Sequence, residues 1–213
     1  MSHGQEGSVR AILYALGANF GIAVAKFAAA AWTGSGSMLA EAIHSTADCA
    51  NQLLLLLGMR EAKRPESPDH PLGHHRAAYF WAMVVALLLF FMGGAFSVYE
   101  GIERWRHPQP LQNGLIAMAV LGVAVVLEAF SLAGAMREIR KVAGGKRFLR
   151  WFRESRQSEL MVVAGEDIAA LAGLVLAFLA VAAAVATGNP LWDALGTLSV
   201  GAVLMVVAVA IMI

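Results

Sequence analysis

Two clusters of ionisable residues lie inside long apolar stretches, and they constrain the fold more than any other feature of the chain. Glu41, His44 and Asp48 form the first cluster, and Glu166 and Asp167 form the second. Their neighbours are mostly Ala, Leu, Val, Gly and Met. A charge at the centre of a bilayer costs about 2.5–3.5 kcal/mol on insertion scales. Such clusters therefore require partners, a water-filled cavity or a bound ion.

Composition identifies an integral membrane protein. Of 213 residues, 59% are hydrophobic and only 15% are charged, whereas soluble domains are about 25% charged. The single cysteine, Cys49, excludes an internal disulfide and a multi-cysteine metal cage. No cleavable signal is visible, because the N-terminus is polar and the first apolar run is too long for a signal peptide. A chain of this length fits one helical bundle and no separate soluble domain.

Six apolar stretches predict six membrane spans, since a bilayer core of ~30 Å needs about 20 apolar residues per helix. The spans are predicted at residues 11–32, 38–58, 77–98, 114–136, 160–187 and 191–213. The breaks have turn chemistry, at 33–37, 65–71, 107–110 and 188–190. The predicted fold is an all-α membrane protein, a six-transmembrane-helix bundle.

The basic residues predict the orientation of this bundle. The 2–3 and 4–5 connections hold most of them, and the 1–2 and 5–6 connections hold no Lys or Arg. By the positive-inside rule, the two basic loops and both termini are cytoplasmic. The basic 4–5 loop, with aromatic residues interleaved, predicts an interfacial helix with affinity for anionic lipid headgroups. Nothing in the pattern indicates a nucleic-acid partner.

Helix 2 carries a polar stripe with metal-binding chemistry. Glu41, His44 and Asp48, with Asn51 or Gln52, fall at helical steps of three and four and so share one face. A His and an Asp four residues apart suit a divalent transition metal. Counting 1.5 Å per residue puts Asp48 near the midplane, at a depth similar to Asp167 on antiparallel helix 5. We therefore predict that His44, Asp48 and Asp167 share one ion.

The fourth ligand is open. Adjacent helical residues point about 100° apart, so in a regular helix 5 we expect Asp167 to face helix 2 and Glu166 to point away. Glu166 would then be a proton carrier or an ion-pair partner, with water or Asn19 as the missing ligand. A π-bulge would instead turn both residues inward and make Glu166 the fourth ligand. The competing structural interpretation is that these charges pair among themselves, for instance with Lys26.

Other residues outside this cluster are also candidates for proton transfer or metal binding. Counting residues places Glu128 on helix 4 at a depth near that of Asp167. We predict that Glu128 is either a proton relay or an ion-pair partner. Asp69, His70 and His74 belong to a cytoplasmic loop that either binds Zn²⁺ or simply caps helix 3. Cys49 points off the Asp48 face, which favours packing over ligation.

These residues carry a family resemblance. The second helix reads Ala-Glu-Ala-Ile-His-Ser-Thr-Ala-Asp-Cys-Ala-Asn-Gln, and a His-Pro-Leu-Gly-His-His-Arg loop leads into Tyr79. The chain resembles the cation diffusion facilitator family of zinc transporters, near the branch that includes animal zinc transporter nine. The resemblance implies four transport-site positions, which here are His44, Asp48, Val163 and Asp167. Val163 cannot bind metal, so this chain departs from the usual pattern.

The resemblance also implies features outside the transport site. The loop residues Asp69, His70 and His74 correspond to a second, cytoplasmic zinc site. Family members usually continue after helix 6 into a cytoplasmic domain, whereas this chain stops at Ile213, so we expect that domain to be absent. A homodimer would then rest on the membrane helices, with Gly93-Gly94 as a weak close-packing signal.

We predict a secondary transporter that exports Zn²⁺ from the cytoplasm by proton antiport. Metal binding requires neutral His44 and ionised aspartates, so protons and metal compete for the same groups. Fe²⁺, Mn²⁺, Co²⁺ and Cd²⁺ remain open as substrates. The alternative is a membrane sensor or scaffold that binds metal without moving it. No His-Glu-x-x-His motif indicates a hydrolase, no cofactor is expected, and the Ala-rich composition favours a bacterial inner membrane over an organelle.

Overall fold

The computed structural model describes residues 3–62, 64, 77–111, 113–142, 145, 148, 150–151 and 158–212. Within those residues all regular structure is helical. The elements are α1 (His3–Thr33), α2 (Gly36–Ala62), α3 (Ala77–Leu88), a π-helical segment (Leu89–Ala95), α4 (Phe96–Arg106), α5 (Gly114–Val142), α6 (Ser158–Thr187) and α7 (Leu191–Met212). Because α3, the π segment and α4 are continuous, these elements make six helical rods.

Each predicted apolar stretch falls on one rod, and the rods extend further at several ends. The third rod continues past residue 98 to Arg106, and α5 continues past 136 to Val142. Backbone hydrogen bonding carries a helix beyond its apolar part, so apolarity alone underestimates its length. Four stretches in the described part are long and apolar enough to cross a membrane: Tyr79–Arg106, Gly114–Arg137, Val162–Thr187 and Leu191–Met212.

The turns between rods use glycine where the backbone requires it. Gly34 ends α1 with φ 67°, and its N–H donates to the Ala30 carbonyl at 2.8 Å. Gly188 ends α6 with φ 66°, a left-handed conformation that glycine adopts without steric cost. Asn189 then caps α7, its Oδ1 accepting from the Leu191 N–H at 3.0 Å. The predicted breaks at 33–37, 107–110 and 188–190 are confirmed, and the break at 65–71 lies outside the described residues.

Helix α2 is at the centre of the bundle. It contacts α1, the whole third rod, α6 and α7. Small side chains make this contact close: Ala40, Ala42 and Ala47 have no exposed surface. Many large apolar side chains instead point outward, with Leu115 and Phe130 more than 70% exposed. An apolar exterior around a buried polar stripe is the arrangement expected of a helical bundle in lipid.

A glycine seam joins the third rod to α7. A Cβ atom on Gly201 would lie 2.9 Å from the Gly94 carbonyl oxygen and 2.8 Å from the Val98 nitrogen. One on Gly101 would lie 2.9 Å from the Leu198 nitrogen. Gly93 and Gly94 are both buried. The interpretation of Gly93-Gly94 as a surface for a second chain is therefore wrong, because this pair is used in packing within the chain.

Candidate metal site

The polar stripe of α2 is buried as predicted. Glu41 and His44 have no exposed surface, and the Asp48 side chain is 20% exposed. His44 Nε2 lies 3.6 Å from Asp48 Oδ2. On its other side the imidazole packs near the π segment, where a Cβ on Gly93 would lie 3.8 Å from His44 Nδ1. This pair is thus close enough for both side chains to bind one ion after a small shift.

A partly open cavity of about 70 Å³ lies between α1, α2, α5 and α6, and it has room for several water molecules. Its polar lining residues are Asn19, Lys26, Ser45, Asp48, Gln52, Glu128, Ser131, Glu166 and Asp167. Four carboxyl groups from three helices therefore meet at one cavity. This matches the prediction that Asp48, Asp167 and Glu128 lie at similar depths. His44 is not among the described residues that line it.

Glu166 and Asp167 point to different neighbours, and the expectation for Glu166 was wrong. Glu166 Oε1 accepts a hydrogen bond from Asn51 Nδ2 on α2 at 2.6 Å. Asp167 Oδ2 accepts one from Ser131 Oγ on α5 at 3.3 Å. Helix α6 is α-helical throughout, so no π-bulge is involved. Because the cavity lies between α2 and α5, two carboxylates about 100° apart on α6 reach it from both sides.

Several polar atoms at this site lack a hydrogen-bond partner among the described residues. They are Asp48 Oδ1, Asn51 Oδ1, Gln52 Oε1 and both ring nitrogens of His44. An unsatisfied buried polar group costs about 1–3 kcal/mol, which a bound cation or water would remove. The donor set of imidazole and carboxylate suits a divalent transition metal.

The candidate ligand side chains do not form a complete metal-binding site in this conformation. In the part of the chain that the structure describes, no three His, Cys, Asp or Glu side chains converge closely enough to hold a metal ion. Val163 lines the cavity at the position where the resemblance implies a ligand, and its side chain has no donor atom. Binding a metal would therefore require side-chain movement, including rotation of His44 towards the cavity.

The competing interpretation, charge pairing within the bundle, is correct for one residue of the stripe. Lys26 Nζ lies 3.2 Å from Glu41 Oε2 and donates to Ser45 Oγ at 2.7 Å. Both charged side chains are almost completely buried. Glu41 is thus held in an ion pair between α1 and α2. Asn19, predicted as a possible fourth ligand, lines the cavity together with Lys26.

Sequence reasoning missed the polar partners of these carboxylates and one further buried acid. Asn51 and Ser131 hold Glu166 and Asp167, and neither pairing is visible without knowing how the helices rotate. Asp193 on α7 is 3% exposed and accepts from Ser35 Oγ at 2.7 Å. It is the lone acidic residue of the last apolar stretch, a signal that was available. The loop residues Asp69, His70 and His74 lie outside the described residues.

Comparison with known proteins decides the family. Residues 12–213 match the cation efflux transmembrane domain. The chain belongs to the cation efflux family. This confirms the predicted family, which consists of multi-pass integral membrane transporters and not of enzymes.

Three relatives illustrate the similarity. The chain is 41% identical over 181 residues to the proton-coupled zinc antiporter SLC30A9, mitochondrial, of Xenopus laevis, covering 84% of this chain and 32% of the relative. It is 32% identical over 205 residues to metal tolerance protein C4 of Arabidopsis thaliana, covering 95% and 45%. It is 32% identical over 129 residues to zinc transporter ZitB of Escherichia coli, covering 60% and 41%. The chain thus spans about a third to under a half of the length of these relatives.

Proposed function

We propose that this chain is a six-span secondary transporter that exports divalent transition-metal ions, Zn²⁺ foremost, from the cytoplasm in exchange for protons. Both termini face the cytoplasm in this proposal, because the 2–3 and 4–5 connections carry the basic residues. The observation that carries the proposal is the cavity between the helices at which Asp48, Glu166, Asp167 and Glu128 meet. Carboxyl groups gathered inside a membrane protein mark an ion or proton pathway.

The proposed transport site consists of His44, Asp48, Asp167 and Glu166. Glu166 is favoured as the fourth ligand, because it is turned towards α2 and lines the cavity with Asp48. Asn19 is a weaker candidate for the same role, since it lines the cavity from α1. One nitrogen and several oxygen ligands fit Zn²⁺, and the same set also accepts Fe²⁺, Mn²⁺, Co²⁺ or Cd²⁺. Asp69, His70 and His74 remain the proposed cytoplasmic loop site.

Proton coupling follows from the chemistry of the ligands. Metal binding requires ionised carboxylates and a neutral imidazole, so metal entry displaces protons and proton entry displaces metal. Alternating exposure of one such site to the two sides of the membrane produces antiport. Glu128 lines the cavity beside Asp167 without being a proposed ligand. We assign to Glu128, together with Glu166, the relay of protons to and from the site.

The names of two of these relatives, a zinc antiporter and a zinc transporter, support the zinc substrate, and the name of the first supports proton coupling. The alanine-rich composition favours a bacterial inner membrane, although one of these relatives is named as mitochondrial. A homodimer formed through the membrane helices stays part of the proposal. Its interface would be sought on the lipid-facing side chains, since the glycine seam is used within the chain.

Zinc flux into proteoliposomes tests the function. The purified chain is reconstituted with a zinc-sensitive dye trapped inside, and flux is recorded with and without an imposed pH gradient. We expect saturable uptake that an opposing proton gradient accelerates. Asp48→Ala should abolish this flux while leaving the protein folded. The matched control is Thr46→Ala, because Thr46 lies on the same helix but is exposed, and its hydroxyl donates to the Ala42 carbonyl of its own helix.

The alternative function, a metal sensor or scaffold, predicts a different outcome. Such a protein would bind zinc with measurable affinity and would show no flux above protein-free liposomes. Normal flux in Asp48→Ala would contradict the site assignment while leaving the transport function intact. Flux that ignores the pH gradient would contradict antiport alone.

A further inference from the structure

Lys26 is a buried cation beside a cavity that is proposed to bind a cation. It is 3% exposed, and its ammonium contacts Glu41 on one side and Ser45 on the other. Its side chain also lines the cavity, together with Asp48, Glu166 and Asp167. A lysine in the membrane interior is costly even when paired. Its place at this cavity therefore requires an explanation beyond helix packing.

The ion pair with Glu41 does not cancel the electrostatic effect of the Lys26 charge on an ion in the cavity. Glu41 has no exposed surface and is not among the described residues that line the cavity. Its Oε1 is turned towards α6, where a Cβ on Gly173 would lie 2.6 Å from it. The ammonium is thus on the cavity side of the pair and the carboxylate is behind it. The positive charge is the nearer one, so the pair as a whole repels a metal ion in the cavity.

We propose that Lys26 is a fixed counter-charge that sets the metal affinity of the cavity. It weakens metal binding, so that the ion can leave the site, and it offsets the carboxylates when the metal has gone. Unit charges a few ångströms apart in a protein interior interact strongly enough to change an affinity tenfold or more. A transport site must bind well enough to load and weakly enough to release. This inference rests on the proposed function, because it concerns the same site.

Zinc titration calorimetry on the detergent-solubilised chain tests the proposal. Lys26→Met removes the charge and keeps the length, and we expect it to bind Zn²⁺ about tenfold more tightly than the wild type. Lys26→Arg keeps the charge and should stay within about threefold of the wild type. Glu41→Gln leaves the ammonium unpaired and should weaken binding. Arg137→Gln removes an exposed charge at the far end of α5 and should change nothing.

The double variant Lys26→Met with Glu41→Gln separates the counter-charge from a merely structural ion pair. It removes both members of the ion pair and leaves neither Lys26 nor Glu41 without its partner, so it also remains informative if Lys26→Met alone fails to fold. We expect it to bind zinc more tightly than the wild type, because the nearer charge has been removed. If Lys26 only joins α1 to α2, the double variant will match the wild type or bind more weakly. Either of those results overturns the proposal.

Measuring zinc flux in the same variants distinguishes a failure of this inference from a failure of the proposed function. Tight-binding Lys26→Met should transport more slowly than the wild type in proteoliposomes, because release becomes limiting. Wild-type protein that binds zinc without flux contradicts transport and leaves the affinity comparison valid. Normal wild-type flux, with equal zinc affinity in the wild type and Lys26→Met, contradicts the counter-charge and leaves transport valid. Wild-type protein that binds no zinc contradicts both.

Discussion

The carboxylate of Asp193 caps the first turn of α2, with Oδ2 accepting the Gly36 N–H at 2.7 Å across 157 residues of sequence. Its Oδ1 accepts the Ser37 N–H at 3.3 Å. A helix N-terminus leaves its first N–H groups unpaired, and a carboxylate there satisfies them and complements the helix dipole. Arg104 Nη1 lies 3.8 Å from Asp193 and also donates to the Gly34 carbonyl. One buried acid therefore joins the start of α2, the end of α4 and the start of α7.

This network predicts a loss of stability on mutation. Asp193→Ala removes the cap and leaves Arg104 with one acid fewer, so the free energy of unfolding should fall by about 3 kcal/mol. The measurement is thermal unfolding in detergent, followed by the fluorescence of the chain's tryptophans. Glu103→Gln is the control, because Glu103 is half exposed and its carboxylate lies near the exposed His107. Equal unfolding temperatures in the two variants would show that the network contributes nothing.

The glycine seam makes a second prediction. Gly201→Ala puts a methyl group 2.8 Å from the Val98 nitrogen, and backbone cannot move aside as a side chain can. We expect a loss of about 1–3 kcal/mol from this overpacking. Gly21→Ala is the matched control, because a Cβ there meets nothing within 4 Å and alanine favours the helix. A stable Gly201→Ala variant would mean that the third rod and α7 separate easily.

Substitution of Glu166 and substitution of Glu128 should have different effects on zinc binding and proton coupling. Glu166→Gln should weaken zinc binding about tenfold or more, since even indirect metal partners are worth that much. Glu128→Gln should keep the affinity and weaken the dependence of flux on the pH gradient, because Gln cannot carry a proton. Calorimetry and proteoliposome flux on the two variants measure these effects. Unchanged zinc affinity in Glu166→Gln would return that residue to a relay role alone.

His44 should influence which metal is transported. His44→Asp replaces an imidazole nitrogen by carboxylate oxygens, which harder cations prefer. We expect flux to persist and the ratio of Mn²⁺ to Zn²⁺ transport to rise. Competition between the two metals in proteoliposomes measures this ratio, with Thr46→Ala as the control on the same helix. An unchanged ratio would mean that His44 does not enter the cavity during transport.

The sequence predicted well how deep the ionisable side chains lie along their helices, but it predicted poorly which way they point around the helix axis. Counting residues from the helix ends put Asp48, Glu128 and Asp167 at one level, because the rise per residue is fixed and the turns are clear. Which way a side chain points around its helix depends on the neighbouring helices. Glu166 was therefore expected to face away from α2, although it is hydrogen-bonded to Asn51. His44 was predicted to share the ion with Asp48 and stays a proposed ligand; its imidazole lies 3.6 Å from Asp48 but is not among the described residues that line the cavity.

Long-range contacts and irregular helical geometry could also not be predicted from the sequence. The pairing of Asp193 with Gly36 joins opposite ends of the chain, and no local pattern indicates it. The π segment contains no proline, the usual sign of an irregular helix. Its place against His44 and α7 is a product of tertiary packing, which a single sequence does not encode in any short window.

The π segment from Leu89 to Ala95 also fixes the residue count of the third rod. A π turn holds more residues than an α turn, so everything after Ala95 is rotated from where an uninterrupted helix would put it. That rotation brings Gly101 onto the face that meets α7. If the segment formed a regular α-helix with the same number of residues, α4 would turn by about 100°. Deleting one residue would restore a regular helix while α4 kept facing the same way. Related sequences that keep this packing should therefore either keep the π turn or be one residue shorter here.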